Sequence, residues 1–257
     1  RRDCPIEEFP TAAAGVGVRA SVHIQVGAAD PIKEAYWVQS VSEANPDWPM
    51  AQVAFCDLTA PDFEEKLDVL QSLPTVKAVR QIVGRSPQED AKTGTNDLLD
   101  NPLFLKGLQT LGRRGLGFDL QLVPELMEAT AQVIAQAPDT KVALCHAGSP
   151  YDRTPEGLKV WAKYLKRLSA LPNVWCKISG LGMFEPDWTA DSVAPIMGEC
   201  LEQFGADRCM FGSNFPVDSL YSDYANLFAA LQENLGVSDF EAVTFETARQ
   251  FYAVSVP

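Results

Sequence analysis

The feature that most constrains this chain is a repeated grammar of seven short apolar runs, each ending in small or polar residues and each followed by a helical pattern. The runs are 19–26, 50–56, 76–83, 117–122, 141–145, 174–178 and 209–212. An apolar run bounded by charge on one side and by Gly, Ser, Asn or Pro on the other suits a buried strand feeding a loop. Helical patterns fill the intervals over 30–44, 61–73, 124–137, 154–170 and 192–204, with another opened by Asn101-Pro102 and two more, over 223–231 and 238–252, closing the chain. Asp30-Pro31 shows how such a helix begins, with an acid as N-cap and proline at the first helical position. Strand and helix alternating every roughly 30 residues make a parallel sheet joined by right-handed crossovers. Seven units suffice for an open doubly wound sheet, whereas an eight-stranded barrel needs one more.

Side-chain parity favours the barrel. Strands buried on both faces read as near-continuous apolar runs. Here His23/Gln25, Asp119/Gln121 and Lys177/Ser179 put polar residues on one face near the carboxyl ends, opposite Val22/Ile24 and Cys176/Ile178. A barrel mouth gives those pairs a wet place to point; the plainer account of any one pair is hydrogen bonding within a core layer. The expected fold is therefore α/β, a (β/α)8 TIM-type barrel in a single domain over 1–257, with its first strand missing from this chain. The polar loop 84–100 is long enough to be functional.

A length of 257 residues suits one large α/β domain. The formal charge of −13, with no basic cluster interleaved with aromatics, argues against nucleic acid and anionic membranes as partners. Six cysteines, Cys4, Cys56, Cys145, Cys176, Cys200 and Cys209, show no paired spacing. Four lie inside apolar runs, the pattern of reduced core thiols, which points to the cytoplasm. No apolar stretch approaches the roughly 18 residues of a membrane span, and no basic-then-apolar leader opens the chain. The expected partner is a small-molecule substrate, with assembly of identical copies left open.

The segments HIQVGAADPIKEAYWVQ, VKAVRQI, LCHAGSP, PNVWCKISGLG and DRCMFGSNFPVD, in order between about Ala20 and Tyr252, resemble the amidohydrolase-2 family. These are metal-dependent hydrolases of the TIM-barrel fold, including sugar lactonases, pyrone-dicarboxylate lactonase and some decarboxylases. Members usually open with a strand carrying His-x-His. That motif is absent here, and its expected place is upstream of Arg1, in agreement with the count of seven strands. Where many relatives carry a catalytic aspartate at the end of the last strand, this chain has Asn214, and an amide is no base and a poor metal ligand.

His146 ends a strand and matches the family histidine that binds metal or polarises the scissile carbonyl. A neutral imidazole serves as ligand, general base or hydrogen-bond donor; the plain alternative is a satisfied core histidine. His23, mid-strand beside Gln25 on its face, divides evenly between substrate binding and structure. Arg80 either grips a substrate carboxylate or lactone oxygen or pairs with an acid such as Asp119. Arg153, in the loop after His146, contacts substrate or is an ordinary surface arginine. Asp218 acts as a base if the Phe215-Pro216 turn folds back over the mouth, and otherwise pins its own loop. Lys177 and Ser179 are expected to line the pocket, as substrate-binding residues with Gln25 and Asp119.

Two histidines on different strands build neither HxH nor HExxH, so the binuclear zinc centre of the wider superfamily is excluded for this chain. One weakly held divalent ion, zinc or manganese, on His146 remains open, as does chemistry without a metal. The expected reaction is addition of water to the carbonyl of a sugar-acid or dicarboxylate lactone. His146 orients or deprotonates the water, Arg80 anchors the substrate, and Asn214 and Lys177 stabilise the oxyanion. The rivals are a barrel that only binds its ligand, a decarboxylase of the same family, and a doubly wound protein with another ligand. No GxGxxG or GxxxxGK[ST] follows a strand, so nothing supports a nucleotide.

Overall fold

A computed structural model describes residues 6, 8–13, 15–85 and 97–256, so most of the loop expected over 84–100 lies outside the described residues. Seven strands, β1 (Ser21–Ile24), β2 (Met50–Phe55), β3 (Val76–Ile82), β4 (Gly117–Gln121), β5 (Val142–Leu144), β6 (Val174–Ser179) and β7 (Cys209–Gly212), form one sheet in chain order. Each neighbouring pair is parallel. A doubly wound sheet reverses strand order at its switch point; this one never does.

After a short α1 (Glu8–Ala12), the helices are α2 (Pro31–Ala44), α3 (Phe63–Gln71), α4 (Pro102–Arg113), α5 (Met127–Ile134), α6 (Pro155–Ser169) and α7 (Ala190–Phe204). The chain ends in α8 (Tyr224–Asn234), α9 (Val237–Glu241), a π turn and α10 (Thr247–Phe251). Their starts are written locally. Asp30, Asn101 and Thr154 accept from Lys33 N, Leu103 N and Gly157 N, and each is followed by a proline that needs no partner for its missing N–H. Among the described residues, no helix is long and apolar enough to cross a membrane.

Two cores flank the sheet. The larger lies between sheet and helices, where Phe118, Leu120, Leu144, Cys176 and Ile178 meet Leu67, Leu108, Leu165 and Ile196. The smaller gathers Ala51 and Val53 of β2, Ala78 of β3, Ala143 of β5 and Met210 of β7 around Phe251, Tyr252 and Val254. In a flat sheet β2 and β7 stand five strands, about 24 Å, apart at ~4.8 Å per strand. Side chains from both meet in one cluster only because the sheet curls around it. The fold is an incomplete TIM barrel whose interior is filled by the chain's own last residues. Phe251 stands edge-on to Trp175, ring centroids 5.2 Å apart.

The expected parity holds in β4 and β6, where Cys176 and Ile178 face the helices and Asp119 and Lys177 pair on the inner side. It is reversed in β1. Val22 and Ile24 pack on the inner cluster, while His23 turns outward to the Glu34 carboxylate at 3.2 Å and lies edge-on to Trp37 of α2. Its register partner Gln52 does the same, its amide donating to the Ala35 carbonyl at 3.0 Å. The reason is local chemistry: the interior behind β1 is apolar, and α2 offers acceptors. Cys56, Cys145, Cys176, Cys200 and Cys209 are free and buried.

Candidate active site

A cleft of about 1520 Å³ opens at the carboxyl ends of the strands and runs between β1 and β7. Arg80, Gln121, His146, Lys177, Ser179 and Asn214 line it, as do His23 and Gln25.

His146 reaches the cleft through strained backbone. β5 stops at Leu144, and His146, Ala147, Gly148 and Ser149 all have positive φ, at 54°, 51°, 70° and 57°. For residues with a Cβ this costs roughly 1–2 kcal/mol each, and such strain collects where a side chain must be aimed. The turn is held by Trp161, whose indole donates to the Ala147 carbonyl at 2.7 Å, and by Ser149 N donating to His146 O at 2.8 Å. The imidazole Nδ1 lies 3.0 Å from Ser179 Oγ. Burial, then the charges of Lys177 and Arg80, push its pKa down to about 3. It is neutral at neutral pH, with Nε2 making no protein hydrogen bond among the described residues.

Lys177 and Asp119 form a buried pair at 2.5 Å. Burial opposes the Lys177 charge, but Asp119 outweighs it and raises the pKa. The carboxylate also accepts from the Tyr252 hydroxyl at 2.9 and 3.0 Å; burial, then the Asp119 charge, raise that phenol's pKa well above its ordinary value. Asp119, expected among the substrate-binding residues, is 0% exposed and absent from the cleft lining, and holds the Lys177 ammonium from behind. Arg80 does not take the Asp119 pairing considered for it. Its Nη1 donates to the Gln25 carbonyl at 3.0 Å and its Nη2 to the Gln121 amide oxygen, while its buried Nε has no partner among the described residues. The Gln25 side chain accepts from Gly27 N at 2.8 Å, tying down its own turn.

Asn214 follows β7 at φ 54°. Its amide donates to Asp218 Oδ1 at 2.8 Å. Asp218 is 4% exposed and lies outside the cleft lining, so the Phe215-Pro216 turn does not bring it to the mouth as a base. Arg153 also stands off the cleft, donating to the Leu181 carbonyl at 3.0 Å and lying 4.0 Å from Glu185. Its N–H groups are drawn to a loop carbonyl and an acid on the far side of the turn after β6.

The residues thus brought together are His146, Arg80, Lys177, Ser179 and Asn214, with Gln25 beneath Arg80. Asp119, Asp218 and Arg153 stay off the cleft lining, and His23, at its edge, pairs with Glu34. Sequence reading missed Gln121 as the Arg80 partner, although its parity with Asp119 was the signal. It also missed Tyr252, for which there was no signal. The donor set does not suit a divalent ion: cations, not carboxylates, flank His146, and among the described residues no group of three His, Cys, Asp or Glu side chains could hold one.

Residues 5–254 match the family model described as amidohydrolase. The uncharacterized protein y4mH of Sinorhizobium fredii is 35% identical over 97% of this chain and 85% of its own length. An L-fucono-1,5-lactonase of Burkholderia multivorans is 27% identical over 80% of this chain and 72% of its own. An amidohydrolase from the same species, solved with bound zinc, superposes with a TM-score of 0.85 at 22% identity, covering 99% of this chain and 90% of that one; at that identity the likeness speaks for the fold. A family match over nearly the whole length, on a barrel whose polar side chains converge at the strand ends, means that this chain belongs to the amidohydrolase family.

Proposed function

We propose that the protein hydrolyses the ester bond of a small lactone, a sugar-acid or dicarboxylate lactone. The observation that carries this reading is a neutral His146 facing the cleft beside two fixed cations, Arg80 and Lys177. Water attacks the lactone carbonyl carbon, a C–O bond forms, and negative charge grows on the carbonyl oxygen. The cations, held in place by Asp119, Gln25 and Gln121, stabilise that charge as preorganised donors. His146 orients the water through Nε2; with its pKa at about 3 it is too weak a base to take a full proton at neutral pH. Collapse of the intermediate breaks the ring C–O bond as a proton of the attacking water passes to the departing ring oxygen, and leaves a hydroxy acid whose carboxylate Arg80 suits by charge and by an Nε that has no partner among the described residues. The L-fucono-1,5-lactonase among the relatives supports the substrate class.

A panel of aldonolactones and dicarboxylate lactones followed by pH-stat, with and without zinc or manganese, tests the reading. It predicts release of acid above the buffer rate for at least one lactone. Hydrolysis no faster than buffer across the panel sinks it. A second reading, binding without turnover, is favoured because no carboxylate base stands beside His146 among the described residues. It predicts calorimetric binding of a lactone that is recovered intact.

A further inference from the structure

Asn214 and Asp218 clasp each other twice. The Asn214 amide nitrogen donates to Asp218 Oδ1 at 2.8 Å, and Asp218 N donates to the Asn214 carbonyl at 3.1 Å. Only Asn214 lines the cleft, and its amide oxygen makes no hydrogen bond among the described residues. An ionised carboxylate accepts and cannot donate, so it draws the NH2 end of the amide toward itself and turns the oxygen away. The orientation of an amide is fixed by such a partner.

We propose that Asp218 is a positioning residue that holds the Asn214 amide with its oxygen toward the cleft, making Asn214 an acceptor for a substrate hydroxyl or the attacking water. Asn214 is then not the oxyanion donor that the sequence suggested. The proposal rests on the lactonase reading and narrows it to hydroxyl-bearing lactones, because a site with a fixed acceptor discriminates against ligands that leave it unpaired. Protonated Asp218 can donate, which lets the amide turn over.

Burial pushes the Asp218 pKa up to about 6, and the Asn214 amide opposes that rise. Of the titratable groups nearby in the chain, Tyr221 donates its N–H to the Asp218 carbonyl at 3.0 Å, while Asp223 and Tyr224 open α8; His146 faces the cleft, which Asp218 does not line. Asp223 accepts from Asn226 N at 2.8 Å as the helix cap, Tyr224 bonds Ser213, and no charged side chain is among the causes of the Asp218 shift.

The test reads the Asn214 side-chain amide by nitrogen-15 NMR in the full chain labelled at asparagine, the signal assigned by its loss in Asn214→Ala. The NH2 resonances should titrate between about pH 4.5 and 7.5 and stop doing so in Asp218→Asn, whose amide oxygen still accepts but takes up no proton. With a turned-over lactone, kcat/KM should show an acid limb in the same range that flattens in Asp218→Asn, and Asp218→Leu should lower kcat/KM about tenfold. Resonances that do not move with pH, or that titrate alike in Asp218→Asn, overturn the proposal. If the amide titrates with Asp218 while no lactone is hydrolysed, the clasp stands and the lactonase reading falls.

Discussion

Removing the Lys177 ammonium leaves the Asp119 carboxylate wholly buried with, among the described residues, only the Tyr252 hydroxyl as partner. Breaking one side of a buried pair costs about 3–5 kcal/mol, whereas replacing both partners by apolar groups is far milder. Lys177→Met should therefore lower the urea midpoint sharply, and adding Asp119→Leu should recover much of the loss. A double mutant as unstable as the single would show that the pair matters by its shape rather than its charge. The parity of Asp119 and Lys177 was legible in the sequence, but their partnership was not. Which of two cations meets an acid on another strand depends on strand register, and Arg80 was the more obvious choice. His146 and Asp218 make stability depend on pH in opposite senses. His146 is depressed from 6.5 to about 3, so its contribution is full above the ordinary value and is lost as pH falls through that window. Asp218 is raised from 3.8 to about 6, so its contribution is full at the acid end and is lost as pH rises through its window. Urea midpoints across this range should fall less on acidification in His146→Gln than in the parent. They should fall more in Asp218→Asn, which lacks the opposing term.

The turn after β6 carries as much of the site as the strand itself. Gly180 has φ +62°, and a Cβ there would stand 2.5 Å from His146 Nδ1 and 2.7 Å from the end of Met183. Gly180→Ala therefore combines backbone strain of about 1–2 kcal/mol with displacement of the imidazole from Ser179. Gly115, at φ +70° with nothing within 4 Å of its would-be Cβ, isolates the first effect. Both substitutions should lower the melting temperature, and only Gly180→Ala should also lower kcat/KM on a hydrolysed lactone. Equal losses of activity would mean that the turn does not govern the ring. Most elements were legible because apolar runs and proline-preceded caps are local signals. The facing of β1 was not. Its alternation His23-Ile24-Gln25 reads the same whether the polar face is inside or out, and the choice was made by Glu34 on α2 and by Phe251 and Tyr252, more than 200 residues away in the chain.

At the scale of the molecule, the last residues of the chain complete a barrel interior to which all seven strands contribute, β4 through Gly117 and Asp119. Strand number and order follow from periodicity, but periodicity says only that a face is apolar, not which distant segment covers it. That is why the helix expected over 238–252 carried no hint of its role. Phe251 packs edge-on to Trp175 and fills the space in front of Gly117, where a Cβ would come within 3.3 Å of its ring and 3.2 Å of the Ala78 Cβ. Deleting a buried aromatic costs about 3–5 kcal/mol, part of it for the cavity left behind. Phe251→Ala should reach that range by urea denaturation. Because Tyr252 is the next residue and holds Asp119, it should also weaken the support of Lys177 and lower kcat/KM. Gly117→Ala alone should destabilise by crowding both the ring and Ala78. In the Phe251→Ala background one of the two obstacles is gone, so the second substitution should cost less there than in the parent. A double-mutant cycle reads that coupling directly. Strict additivity would mean that the tail and β4 do not share the interior as the packing requires, and the account of a barrel closed from within by its own C-terminal residues would fail.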